Sequence, residues 1–235
     1  MKCLVTGGSG FLGSHIADEL SLRGHQVTIF DKKKSKYLKK NQKFISGNLK
    51  NKKTLEKIIK GKDIVFHFAA IADIAEAMKN PKETVLINII PTINMLELSL
   101  KYKIKRFFFA STIYVNSEDG GFYKSSKRAV EDYIEEYSKL LKLKFTILRY
   151  GSIFGSRSNL SNGVNRIISH AIKKNEVRYF GNKKTEREYI NVKNAAIMTV
   201  ECLKKNFENK HVVVTGNKKI KIIKLLKTVK KYLSI

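Results

Sequence analysis

Apolar residues follow two rhythms along this chain. Short unbroken runs read as buried strands: KCLVT at 2–6, QVTIF at 26–30, KFIS at 43–46, DIVFHF at 63–68, RFFFA at 106–110, KFTIL at 144–148 and HVVVT at 211–215. Between them the spacing turns helical. Phe11, Leu12, His15, Ile16, Ala17 and Leu20 share one face, and Gly24 follows where a helix commonly ends. Leu55, Ile58 and Ile59 mark a helix over 52–60, and further helical stretches fall at 82–102, 122–142, 164–174, 192–205 and 219–233. Strands alternating with helices through short crossovers predict an α/β fold, a doubly wound parallel sheet with helices on both faces. After Arg149 the alternation loosens into a Gly-, Ser- and Asn-rich stretch at 151–163. The chain therefore divides into a main unit over 1–150 and a small C-terminal lobe over 151–235 interleaved with it.

Composition narrows the classes of function. With 235 residues and 43% hydrophobic content, the chain can bury a full core. Lys and Arg number 47 against 20 acidic residues, a net charge of +27, which raises nucleic acid as a partner. Only eight of the 47 are Arg, and the lysines run evenly from Lys2 to Lys231. That distribution reads as a solvated surface and AT-rich codon usage, so no nucleic-acid partner is expected. No apolar run reaches the 18 or more residues of a membrane span, and the start of the chain lacks the pattern of a signal peptide. Cys3 and Cys202 lie in separate apolar segments and read as buried free thiols, with the cytoplasm as the default location and no metal site.

Residues 6–13 read TGGSGFLG, placing Gly7, Gly10 and Gly13 at G-x-x-G-x-x-G between a strand and a helix. The first glycine permits the turn, the second lets backbone approach a pyrophosphate, and the third lets helix pack on sheet. This is the dinucleotide fingerprint of a Rossmann domain. Asp31 follows the second strand, where a carboxylate accepts hydrogen bonds from both adenosine ribose hydroxyls and repels a 2′-phosphate. NAD is thus favoured as cofactor. Lys32, Lys33 and Lys34, just beyond, could hold such a phosphate and keep NADP as the lesser alternative.

Tyr123 and Lys127 form Y-x-x-x-K, four apart on one helix face. A phenol with a pKa of about 10 is a poor base at neutral pH. A nearby ammonium and an oxidised nicotinamide ring stabilise its anion, so that it can exchange a proton with a substrate hydroxyl while hydride moves to the cofactor. Thr112, just past strand 106–110, can polarise the same oxygen. His67 reads as a packed strand-end residue.

Taken with IFD (29–31), GNL (47–49), HFAA (67–70), NIIPTINMLE (88–97), FFFASTIYV (107–115), YKSSK (123–127), ILRYGSIFG (147–155) and REYINVKNAA (187–196), these motifs resemble the extended short-chain dehydrogenase/reductase family. Its NAD-dependent epimerase/dehydratases act mostly on nucleotide sugars. The resemblance covers roughly residues 1–215. It implies that Phe11 and Leu12 flank the pyrophosphate and that Asp31 holds the ribose. It places Asn48 and Leu49 at the adenine, Phe68, Ala69 and Ala70 along the cofactor, and Asn88 near the nicotinamide. It makes Thr112, Tyr123 and Lys127 the catalytic set, and Ser152 and Arg187 substrate contacts, Arg187 on the diphosphate. A surface ion pair of Arg187 with Glu186 or Glu188 is the alternative for that residue. The expected activity is a nucleotide-sugar epimerase with Tyr123 as acid/base. Alternatives are an NAD(P)H-dependent sugar-nucleotide ketoreductase and a non-catalytic cofactor-binding regulator. The resemblance also implies a homodimer through a four-helix bundle built from the helices over 82–102 and 122–142.

Four departures from the family pattern stand out. Ile113 and Tyr114 occupy the positions of an acidic pair used in dehydration. The segment between Thr112 and Tyr123 is short. Pro91 replaces a glycine inside a helix, which should kink it or remove a hydrogen bond. The chain stops at Ile235 where relatives usually continue, so a minimal or truncated substrate lobe is expected.

Overall fold

A computed structural model describes all residues, Met1–Ile235. Seven strands form one parallel sheet: β1 (Lys2–Thr6), β2 (Gln26–Asp31), β3 (Gln42–Ser46), β4 (Ile64–His67), β5 (Arg106–Thr112), β6 (Phe145–Tyr150) and β9 (Lys210–Val214). Their order is β3-β2-β1-β4-β5-β6-β9, with every neighbouring pair parallel. The order reverses beside β1, and in open α/β sheets a ligand crevice opens at such a switch point, beyond the strand C-termini.

The unbroken apolar runs arise because both sheet faces are covered. Leu4, Val65, Phe107, Phe109 and Ile147 face one side, packed with α2 (Lys52–Ile59), α5 (Ile90–Lys101) and α6 (Gly121–Leu141). Cys3, Val5, Phe66, Phe108 and Leu148 face the other, against α1 (Phe11–Leu22) and α8 (Val192–Glu201). Both cysteines are free and buried in this second layer. Helix starts follow local chemistry. The Asn51 side chain accepts the Thr54 N–H at 3.0 Å to cap α2, and Asn162 caps α7 (Gly163–Lys174) through the Asn165 N–H at 3.1 Å.

The structure differs from the periodicity reading in four places. A short helix α3 (Ile74–Lys79), capped by Asp73, occupies a stretch with too little apolar repeat to signal it. The stretch expected as one helix from 82 is α4 (Pro81–Thr84), a π turn at Val85–Ile89, then α5. Pro91 lies in the first turn of α5, where its missing N–H coincides with the change of hydrogen-bonding pattern. Beyond Tyr150, β7 (Ser152–Phe154), β8 (Glu186–Asn191) and β10 (Lys219–Lys221) form a second sheet of order β10-β8-β7. These strands are short and half-polar, so no apolar run announces them. Consequently α9 (Ile222–Leu233) starts later than 219. It packs on α7 through Ile167, Ala171, Ile222, Leu226 and Val229, a small core of its own. No helix is long and apolar enough to cross a membrane.

Candidate active site

The turn after β1 is shaped by its glycines. Gly7 has φ +69, and a Cβ there would lie 2.7 Å from the Ala69 backbone nitrogen. A Cβ on Gly13 would lie 2.3 Å from the Gly7 carbonyl oxygen, so α1 sits directly on the turn. Gly10, at the N-cap of α1, offers no side-chain acceptor. The N–H groups of the first turn therefore face the crevice without a side-chain cap, together with the positive end of the helix dipole. Asp31 closes the far side of the turn: Oδ2 accepts the Ser9 N–H at 3.0 Å and Oδ1 the Lys32 N–H at 2.7 Å. Lys32, Lys33 and Lys34 are all exposed.

A cleft of about 740 Å³ opens here. Its lining includes Gly7, Gly10, Phe11, Leu12, Gly13, Asp31, Leu49, Phe68, Ala69, Ala70, Thr112, Tyr123 and Lys127. A second cavity of about 520 Å³ adjoins it, with Tyr114, Gly151 and Asn162 common to both walls. Ser152 and Arg187 line this second chamber. Two expected cofactor contacts lie elsewhere. Asn48 is exposed, off the cleft wall, and its Oδ1 accepts the Lys50 N–H at 3.1 Å. Asn88 is buried in the π turn, and its amide is consumed by three bonds: Ile71 N–H at 2.7 Å, Ile71 C=O at 3.0 Å and Ser126 Oγ at 3.0 Å. It holds the loop that carries Ala69 and Ala70.

Below that loop His67 joins a buried chain whose direction can be worked out. The Thr92 hydroxyl donates to the Asn88 carbonyl at 2.7 Å, so its oxygen accepts from His67 Nε2–H at 2.9 Å. His67 Nδ1 is then the acceptor of the Thr6 hydroxyl at 2.7 Å, and Thr6 Oγ1 in turn accepts the Ala69 N–H at 3.3 Å. Burial and the nearby Lys127 charge push the imidazole down to about 3, so it is neutral. It is a structural strut between the glycine turn and the π turn.

Thr112, Tyr123 and Lys127 come together on the wall of the first cleft. Gly120 and Gly121, at φ +101 and +48, turn the chain into α6 and set Tyr123 in its first turn. A Cβ on Gly120 would press on Lys124 and Tyr114 at 2.9 and 3.1 Å. Thr112 is buried at the end of β5 and accepts the Tyr114 N–H at 3.3 Å. One helical turn on, Lys127 Nζ donates to the Ala110 carbonyl at 2.8 Å and stands 5.9 Å from the Tyr123 ring centre. Burial pushes the phenol up to about 12, against the lowering pull of Thr112. Burial pulls the ammonium down to about 7, with Glu131 acting against that drop.

Arg187, on β8, donates to the Tyr114 hydroxyl at 2.7 Å and makes no ion pair with Glu186 or Glu188. Tyr179 and Tyr189 lie close by in the same chamber. Tyr114, which lines both cavities, follows Thr112 by two residues, the one sign of its place in the sequence.

The profile of the NAD dependent epimerase/dehydratase family matches residues 3–216. The UDP-N-acetyl-alpha-D-glucosaminuronate decarboxylase of Bacillus cytotoxicus is 33% identical over 86% of this chain and 71% of its own. Among solved structures, the UDP-glucose 4-epimerase of Thermotoga maritima, determined with UDP-glucose, superposes with a TM-score of 0.93 at 28% identity, covering 100% of this chain and 83% of that one. The UDP-glucuronic acid 4-epimerase of Bacillus cereus, determined with UDP-glucuronic acid and NAD, gives 0.92 at 25%, covering 100% and 84%.

Proposed function

The chain belongs to the NAD dependent epimerase/dehydratase family, and from that premise we propose that it is a nucleotide-sugar epimerase using NAD, with Tyr123 as its acid/base. One observation carries the reading. Thr112, Tyr123 and Lys127 converge on the wall of a cleft that begins at the glycine turn and adjoins a chamber lined by Arg187. The donor set fits a dinucleotide: a glycine cradle with no room for a Cβ at Gly7 or Gly13, an uncapped helix end, and a carboxylate at the ribose position.

Bound NAD⁺ would accept a hydride from a carbinol carbon and later return it. The protein's own groups do the rest. Tyr123 takes the hydroxyl proton as the substrate carbon becomes a carbonyl, and gives it back once the keto-sugar has presented its other face. Thr112 hydrogen-bonds the same oxygen. Burial holds the phenol near 12 without ligand, so its activation depends on positive charge beside it: Lys127, and the oxidised ring when bound. In the adjoining chamber the Arg187 fork suits a diphosphate, and Ser152, on the same wall, offers its hydroxyl to a sugar.

The identity with a decarboxylase supports a second reading, oxidation followed by loss of CO₂ from a uronic acid. Ile113 and Tyr114, at the positions of the family's acidic pair, argue against dehydration but not against either of these two reactions. An apolar surface on the helices over 81–101 and 121–141, with Val85, Leu86, Ile90 and Tyr133 exposed, supports a homodimer through those helices.

The test is incubation of a panel of nucleotide sugars, their uronic acids and keto nucleotide sugars with NAD or NADH, followed by proton NMR. Epimer formation without net change in NADH is expected. Stoichiometric NADH consumption would make the protein a ketoreductase and CO₂ release a decarboxylase. No turnover across the panel would leave a cofactor-binding protein without catalysis.

A further inference from the structure

Glu131 has no part in the chemistry described so far, yet it is fully buried, at 0% exposure. It lies on α6 four residues after Lys127, on the same helix face. Arg149 on β6 grips it, with Nε donating to both carboxylate oxygens at 3.1 and 3.2 Å and Nη2 to Oε2 at 2.5 Å. His211 Nδ1 stands 3.6 Å from the same oxygen, and its Nε2 meets Glu135 at 2.9 Å near the surface. A buried ion pair is rarely more stabilising than an apolar pair of equal volume, so stability alone is a weak reason for a carboxylate here. Lys127 supplies a stronger one. Its ammonium is buried, its hydrogen-bond partner is the neutral Ala110 carbonyl, and Glu131 is the carboxylate whose field acts on it.

We propose that Glu131, held in place by Arg149, is a positioning residue that keeps the Lys127 ammonium charged inside the active site. The groups facing Lys127 are Tyr123 and Glu131 from its own helix and His67 from β4. Arg149 and His211 act on it through Glu131. Tyr123 and His67 are neutral around pH 7, so Glu131 carries the charge that counters the burial of Lys127.

The inference takes from the proposed function only the importance of Lys127, and its test needs no turnover. Protein labelled with ¹³Cε-lysine is titrated by NMR, with the Lys127 signal assigned by its loss in Lys127→Met. In Glu131→Gln, which keeps the volume and an acceptor for Arg149, the Lys127 midpoint is expected to fall by about one pH unit. If that variant does not fold, the double variant Glu131→Met/Arg149→Met removes the pair as an apolar unit, and a smaller fall in the same direction is expected, because the opposing Arg149 cation goes with the carboxylate. Arg149→Lys keeps a cation on Glu131 and should leave the midpoint in place. An unchanged midpoint in a folded Glu131→Gln or double variant overturns the proposal. So does an equal fall in Arg149→Lys, which would trace the effect to disturbed packing.

Discussion

Replacing Gly13 by Ala tests the glycine turn at its tightest point. The added Cβ would lie 2.3 Å from the Gly7 carbonyl oxygen, 2.9 Å from its carbon and 3.0 Å from Gly8 Cα. All three are backbone atoms, so no side chain can swing aside. An ordinary carbon–oxygen contact needs about 3.3 Å, so α1 must lift from the turn by roughly 1 Å. Overpacking of this kind costs about 1–3 kcal/mol. The same movement shifts the Phe11 and Leu12 N–H groups away from a bound diphosphate, and losing one such charge-assisted hydrogen bond, about 1.5–3 kcal/mol, should weaken NAD binding by about 10- to 100-fold. Urea unfolding measures the first effect and calorimetric titration with NAD the second. Gly163→Ala is the control. It meets nothing within 4 Å and sits at the start of α7, where Ala should stabilise by about 0.4–1 kcal/mol. A Gly13→Ala protein with stability within about 0.5 kcal/mol of the parent and undiminished NAD affinity would refute the close-packing argument.

Tyr123→Phe should lower turnover by about 10²–10⁴-fold while the dissociation constant for NAD changes by less than about threefold, as measured by initial rates and calorimetry; a loss of binding equal to the loss of rate would deny it the proton-transfer role. Asp31→Asn should reduce the preference for NAD over NADP by about tenfold, read as a ratio of dissociation constants, and an unchanged ratio would remove Asp31 from the ribose site. His67 is neutral in the fold and free to protonate when unfolded, its value being depressed from 6.5 to about 3. Its contribution to stability is therefore full above about pH 6.5 and lost as pH falls toward 3, at up to roughly 1 kcal/mol per pH unit. Urea midpoints between pH 7 and pH 4 should fall less steeply in His67→Gln than in the parent. Tyr114→Phe deletes the 2.7 Å bond that orients Arg187; KM for the nucleotide sugar should rise several-fold with kcat within about twofold, and equal losses in both would contradict an orienting role.

The main sheet was legible because its strands are buried on both faces, so LVT, FHF and FFF appear as unbroken apolar runs. The glycine turn was equally legible, since Gly7 and Gly13 have steric reasons that act locally. The second sheet was not, because β7, β8 and β10 are three to six residues long and partly solvent-facing, and their pairing depends on long-range register. The placing of Thr112, Tyr123 and Lys127 together could be read from spacing and strand ends. The bond from Arg187 to Tyr114 could not, as it joins residues 73 positions apart. Asn88 was expected at the cofactor, and only the structure reveals that its amide is spent on Ile71 and Ser126. Glu131 drew no attention in the sequence, because its partner Arg149 lies on another element.

On the proposed function, the turn after β1 holds a dinucleotide and directs it to Tyr123. Calorimetric titration of NAD into protein stripped of bound nucleotide tests it most directly. One NAD per chain is expected, with weaker uptake of NADP and none in Gly7→Val, whose side chain would collide with the backbone at Ala69. Folded protein that takes up neither dinucleotide, or a Gly7→Val variant that binds as well as the parent, would contradict it.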